Sequence, residues 1–141
     1  MVDQIEVPSD GWEKEEIPDD DFLFMRVHRS FLDSEDKPIP GAFRNRPKVG
    51  GGMSTDWAKY STPEDAWRRA RVPEDNIVIR FIAGQVRRVP GRWIEHTPDR
   101  KRNNRAHTDV WGEETAEARV RFGRIYQIVP LDDISPIGDS Q

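Results

Sequence analysis

Alternation of apolar and polar residues divides the chain into short strand-like runs separated by breakers. Phe22-Leu23-Phe24-Met25-Arg26-Val27 is rich in aromatic and branched residues and predicts a first strand. Its alternation places Phe22, Phe24 and Arg26 on one face, with His28 at the strand end, and Leu23, Met25 and Val27 on the other. Residues 76–83 are apolar on both faces, which predicts a strand inside a sheet rather than at its edge. Shorter strands are expected at 93–96, at 106–111 with His107, Asp109 and Trp111 on one face, and at 124–129. Gly84 should bend the chain, and 85–89 fits an edge strand or one helical turn equally well.

Two stretches read as helix. Thr62 can cap, Pro63 fits the first helical position and Asp65 supplies the acid three residues on, so a helix should run to Ala70 and stop before Pro73. Arg68, Arg69 and Arg71 then fall in its last turn, where the helix dipole alone accounts for them. Residues 113–122 fit either period, and their alanines and long charged side chains favour helix. Between the first strand and the first of these helices lies a long irregular connection, 33–52, broken by Pro38, Pro40, Gly41, Pro47 and Gly50-Gly51-Gly52. Ala42-Phe43 should touch the core there, and Arg44, Arg46 and Lys48 alternate along one side. The glycines predict a hinge, or a close backbone approach to something such as a phosphate, without the order of a P-loop.

These elements predict a single small α+β domain, a mostly antiparallel sheet with two short helices, over residues 22–130. Residues 1–21 form an acidic arm and 131–141 a tail, both expected to be flexible or ordered by docking, with Trp12 as the anchor of the arm. The net charge of −4 conceals an uneven map. Residues 1–41 hold 12 acids and 4 bases, residues 42–105 hold 7 acids and 15 bases, and residues 106–141 hold 7 acids and 3 bases. A basic centre between acidic ends either meets a phosphate-rich partner or is neutralised by its own ends. No apolar run is long enough to span a bilayer, and the first residues lack the regions of a signal peptide, so a bacterial cytoplasm is the expected setting and no membrane partner is expected.

The candidate chemistry is narrow. With no cysteine, thiol nucleophiles and zinc–thiolate sites are excluded. Three histidines without metal-ligand spacing predict no metal site, and there is no Gly-x-Ser-x-Gly elbow. What remains is a set of proton-moving and anion-holding residues: His28 and His107 as catalytic candidates, with Arg26, Ser54, Arg105 and His96 as binding candidates. Arg26, His28, Ser54 and His107 should converge on one pocket with Arg105 at its rim. The competing reading makes His107 a half-buried strand histidine bonded to a loop carbonyl. Arg87-Arg88, Arg92, Arg100-Lys101-Arg102 and Arg105 lie among Trp93 and Trp111, the mixture of cation and ring that holds single-stranded nucleic acid. Two functions follow: a domain that binds, or also processes, a nucleotide or nucleic acid through its basic centre, or a non-enzymatic module that docks a protein partner through acidic arms and exposed tryptophans. No cofactor is assigned by these residues.

In this order, Arg26-x-His28, Ser54-x-Asp56 and Asn104-Arg105-Ala106-His107 resemble a layout of small uncharacterised bacterial proteins over residues 22–129, which implies a compact α+β domain and no particular activity. There is a looser similarity to ADP-ribosyltransferase-type folds, in which an early-strand Arg or His and a later Ser-Thr strand hold NAD; the glutamate motif of that fold has no counterpart in the last part of this chain.

Overall fold

The computed structural model describes residues 12–47 and 51–131. The flexibility expected of residues 1–11 and 132–141, and the expected place of Lys48, lie outside the described residues. In chain order the elements are β1 Phe22–His28, β2 Met53–Trp57, α1 Pro63–Arg68, β3 Asn76–Ile82, α2 Ala83–Arg87, β4 Trp93–His96, β5 His107–Trp111, α3 Ala116–Ile125 and β6 Gln127–Val129. The strands form one six-stranded sheet in the order β4-β5-β2-β1-β3-β6, and every pairing is antiparallel. The domain is α+β as the pattern predicts. Among the described residues there are three α-helices instead of two, because 83–87 coils into one helical turn. α3 continues through Ile125, which shortens the last strand to three residues.

Local chemistry explains the sharpest boundary. The Thr62 hydroxyl accepts from the Asp65 N–H at 3.0 Å while the Asp65 carboxylate accepts from the Thr62 N–H at 3.2 Å, and Pro63 opens the helix with its φ already set.

The two faces of the sheet differ. Leu23, Met25 and Val27 of β1 join Met53 and Trp57 of β2, Ile79 and Phe81 of β3 and Val110 of β5 in one buried core. Phe43, in the long connection, lies at its centre against Phe81, Phe122 and Tyr126, with ring centroids 6.0–6.2 Å apart. α3 closes this side through Ala118 and Phe122. On the opposite face, α1 covers only Phe24 and Val78, through Ala66 and Trp67.

Residues 12–21 are docked on the body, and their anchor is Ile17, not Trp12. Ile17 is buried in the main core. The Ala83 and Gly84 N–H groups donate to the carbonyls of Asp21 and Asp19, at 2.9 and 2.8 Å. Gly84 permits this approach, since a Cβ there would sit 3.1 Å from Asp19 Cβ. Trp12 is half-buried beneath the Arg100 guanidinium. The arm also neutralises part of the basic centre: Lys59 and Tyr60 bond Glu15, Arg105 lies 3.9 Å from it, and Arg87 pairs with Asp19. Among the described residues, no helix is long and apolar enough to cross a membrane.

Candidate functional site

The site begins where the sheet opens. β1 pairs with β3 along its whole length, Phe22 to His28, and β2 pairs with β5 from Met53 to Asp56. Between β1 and β2 only Leu23↔Trp57 and Phe24↔Asp56 are paired. Past Phe24 the two strands part and leave a cleft of about 830 Å³. Its apolar lining is the half-buried Phe31 together with the edge of the core at the buried Met25, Val27, Ala42 and Met53, and Arg26, Arg44, Arg46, Arg69 and Arg102 supply five guanidinium groups.

Strand parity brings the polar side chains to one face. Arg26 and His28 alternate with core residues on β1, Ser54 and Asp56 do so on β2, and His107 and Asp109 on β5. Because Ser54 lies opposite Asp109, and Asp56 opposite His107, these four groups form a square on adjacent strands.

Asp56 organises one half of the cleft. Its side chain is 5 % exposed. Oδ2 accepts from Arg69 Nη1 at 3.0 Å and from Arg26 Nη1 at 3.4 Å, and Oδ1 accepts from Asn104 Nδ2 at 2.8 Å. Arg26 Nη1 also donates to the Ala66 carbonyl at 2.7 Å. Burial lowers the Arg26 pKa, and the adjacent Asp56 opposes that shift. Asn104 is buried, and its Oδ1 accepts from the Ala106 N–H at 3.1 Å, which shapes the turn that delivers His107.

His107 organises the other half. Its Nδ1 lies 3.0 Å from Thr97 Oγ1 and 3.1 Å from the Thr97 carbonyl, and its Nε2 lies 3.4 Å from Ser54 Oγ. Thr97 Oγ1 donates its own proton to Asp109 Oδ2 at 2.9 Å, and Arg46 Nη2 donates to Asp109 Oδ1 at 2.9 Å. Gly52 lets β2 enter beside β5: a Cβ there would sit 3.0 Å from the Val110 carbonyl and 3.1 Å from the Trp111 ring. The close approach predicted for the glycine run is thus made, at Gly52, to the neighbouring strand.

At the rim, His28 Nδ1 accepts from the Ser30 N–H at 3.1 Å, which leaves the proton of the neutral ring on Nε2. Arg102 pairs with Asp99 at 3.0 Å. Burial raises the Asp99 carboxyl, but the hydrogen bonds from the Arg102 side chain and backbone outweigh it and hold the group below the ordinary aspartate range. Arg44 is exposed and lies 4.6 Å over the Phe31 ring, with no ion pair among the described residues.

Four of the six sequence-predicted residues, Arg26, His28, Ser54 and His107, therefore line one cleft. His96 and Arg105 do not. His96 points to the opposite face of the sheet and is 2 % exposed. Its Nδ1 accepts from the Glu15 N–H at 3.1 Å, its Nε2 donates to the Arg105 carbonyl at 2.7 Å, and its ring packs on Trp57 and Tyr60. Arg105 lies 4.2 Å over the Tyr60 ring and is not at the rim. The expected basic surface around Trp93 and Trp111 is also dispersed. Arg92 is buried over Phe122 and bonds Asn45, Arg87 holds the arm, and the Trp111 indole N–H donates to Glu95.

Asp109, Thr97 and Arg69 are site residues that the sequence reading did not select. The alternation in β5 already places Asp109 beside His107. Nothing in the sequence links Thr97 to them, and Arg69 is explained there by its helix alone. No group of three or more His, Cys, Asp or Glu arranged for a metal ion occurs among the described residues. Compared with family models, curated proteins and solved structures, the chain gives no match.

Proposed function

We propose that the cleft between β1 and β2 binds a nucleotide, free or at the end of a nucleic-acid strand, through its phosphate groups. One observation carries this reading: five arginines surround an opening with an apolar lining. Guanidinium groups recognise phosphate oxygens in a bidentate manner, and apolar walls accommodate a base or sugar face. The volume of about 830 Å³ falls within the range of small-molecule sites, roughly 300–1,000 Å³.

The cations are not equivalent. Arg26 and Arg69 share the buried Asp56, and Arg46 is held by the buried Asp109, so these three are fixed in place and partly neutralised. Arg46 Nε is buried and bonds nothing among the described residues. Arg44, exposed and held only over Phe31, keeps its charge for a ligand. We therefore assign Arg44 the main electrostatic attraction and Arg26 and Arg46 the orientation of the phosphate.

The test is a titration of the full chain with AMP, ADP and NAD, the last suggested by the similarity to ADP-ribosyltransferases, and with a short single-stranded oligonucleotide. Affinity should fall as salt is added, with the steeper slope for the oligonucleotide. Arg44→Ala should weaken binding several-fold while the melting temperature stays constant. Absence of binding to any of these at low salt would reject the reading.

A protein-docking role keeps one specific observation: Trp93, on the edge strand β4, is 58 % exposed. The described part of the acidic arm supports it less, since Glu15 and Asp19 are engaged by their own domain. Binding that ignores Arg44→Ala and disappears in Trp93→Ala would favour it.

A further inference from the structure

The cleft holds a hydroxyl beside a histidine whose neutral tautomer is dictated by its neighbours. Thr97 Oγ1 has a single proton and donates it to Asp109 Oδ2 at 2.9 Å, so towards His107 it can only accept. The Thr97 carbonyl, 3.1 Å from the same ring nitrogen, can only accept as well. Both partners of Nδ1 are acceptors, and Nδ1 must carry the ring proton. Nε2 of the neutral ring then has a free lone pair, 3.4 Å from Ser54 Oγ. No other bond to Ser54 Oγ is made among the described residues. The 3.4 Å separation is at the outer edge of a hydrogen bond, as is common for catalytic pairs before a ligand closes the site. Asp109, 5 % exposed on its side chain and fixed by Arg46, keeps the Thr97 hydroxyl turned so that its lone pairs face His107.

We infer that Ser54 is a nucleophile towards phosphorus, that His107 Nε2 is its general base, and that Thr97 and Asp109 are positioning residues that fix the imidazole tautomer. This rests on reading the cleft as a phosphate site, where the arginines would hold the electrophile next to Ser54. In the first step Ser54 Oγ bonds to phosphorus of a nucleotide ester or anhydride. The bond from phosphorus to the leaving oxygen breaks, and that oxygen departs with the electron pair. The Ser54 proton moves to His107 Nε2 and is passed to the leaving oxygen. In the second step water adds to phosphorus, its proton moves to Nε2, and the phosphorus–Oγ bond breaks as Ser54 regains a proton. Reactants and products balance without an oxidant or a reductant.

An electrophilic probe tests this without knowledge of the natural substrate. The intact chain is treated with diisopropyl fluorophosphate, whose phosphorus–fluorine bond breaks as the serine–phosphorus bond forms, and the adduct is located by peptide mass spectrometry. Ser54 should be the serine modified. His107→Ala should slow modification by about 100-fold, the lower end of what a positioned base contributes. Free imidazole added to His107→Ala should restore part of the rate, a recovery that a merely structural histidine would not show. Thr97→Val should also slow the reaction, and Thr97→Ser should retain it. Circular dichroism of each variant confirms that the fold is kept, and His107→Gln serves where His107→Ala does not fold. No adduct on Ser54 of the folded wild-type chain would overturn the proposal, as would a rate equal in wild type and His107→Ala. Neither result depends on the nucleotide titration: binding without labelling would leave the cleft a phosphate site that lacks this nucleophile.

Discussion

His96 and His107 lie on neighbouring strands, with His96 directly opposite Thr108, and they face opposite sides of the same sheet. Each directs one ring nitrogen to a backbone carbonyl, Arg105 for His96 and Thr97 for His107. They differ at the second nitrogen. For His96 it is occupied by the Glu15 N–H, and the ring is enclosed by Trp57 and Tyr60. For His107 it faces the Ser54 hydroxyl at the wall of a cleft. A histidine whose two nitrogens are both consumed by its own fold is a structural part. One with a lone pair left towards an opening is available for chemistry. The same distinction runs through the sheet: one face is closed by Phe43 and α3, while the other has only a small cluster around Phe24, Val78 and α1 and carries Ser54, Asp56, His107 and Asp109 on its central strands.

Substitutions should separate the faces by what they change. Phe43→Ala, at the centre of the closed face, should have the largest effect, about 3–5 kcal/mol of stability in denaturant unfolding. A loss below about 1 kcal/mol would mean that Phe43 is not the core's centre. Asp56→Asn removes the shared counter-charge of Arg26 and Arg69 on the open face. Loss of a partner for buried polar groups costs about 1–3 kcal/mol, and nucleotide affinity should fall along with it because the arginines lose their orientation. Stability lost with affinity unchanged would detach Asp56 from the site.

Between the histidines, His96→Ala should cost about 1–3 kcal/mol, since it leaves the Glu15 N–H and the Arg105 carbonyl without their partner. His107→Ala should cost less and should slow the labelling of Ser54 by about 100-fold. The reverse order of melting temperatures would exchange their roles.

The alternation along β1 and β5 made most of this face legible in advance. Parity alone put Arg26 with His28 and His107 with Asp109, and those pairs are on one side of the sheet. The capped start of α1 was equally readable because its determinants lie within four residues. What the pattern could not carry was the meeting of distant segments. Arg69 reaches Asp56, 13 residues away, and Thr97 reaches His107 from a loop with no periodicity of its own. Arg105 and His96 were misplaced for a related reason: basic and titratable residues near a candidate histidine in sequence can fall on the other face when the parity or the turn changes between them. The undecided stretch 85–89 was too short for its period to distinguish a strand from a turn of helix, and contact with β3 and β4 decides it.

The smallest expected effect concerns pH and the docked arm. Hydrogen bonds from Lys59 and Tyr60 hold the Glu15 carboxyl below its ordinary value of 4.5, and Lys14 and the Trp111 indole do the same for Glu95. A lowered carboxyl contributes stability above its unfolded value and loses it as pH falls through the folded one. Lys59 is raised above 10.5, chiefly by Glu15, so its contribution is present below that value and lost as pH rises through the folded one. Arm docking should thus be constant through neutral pH and weaken at both extremes, with proteolysis within residues 12–21 as the readout. Release of the arm between pH 6 and 8 would contradict this assignment, since none of these three shifts falls in that window.

The most direct measurement is a nitrogen–proton correlation spectrum of the labelled chain during addition of ADP. The expected result is that amides of Arg26–His28, Ser54–Asp56 and His107 shift in a saturable manner, while those of His96 and Ile128 stay in place. Shifts centred on Trp93 and β4, or no shifts at all, would contradict a nucleotide site on the open face.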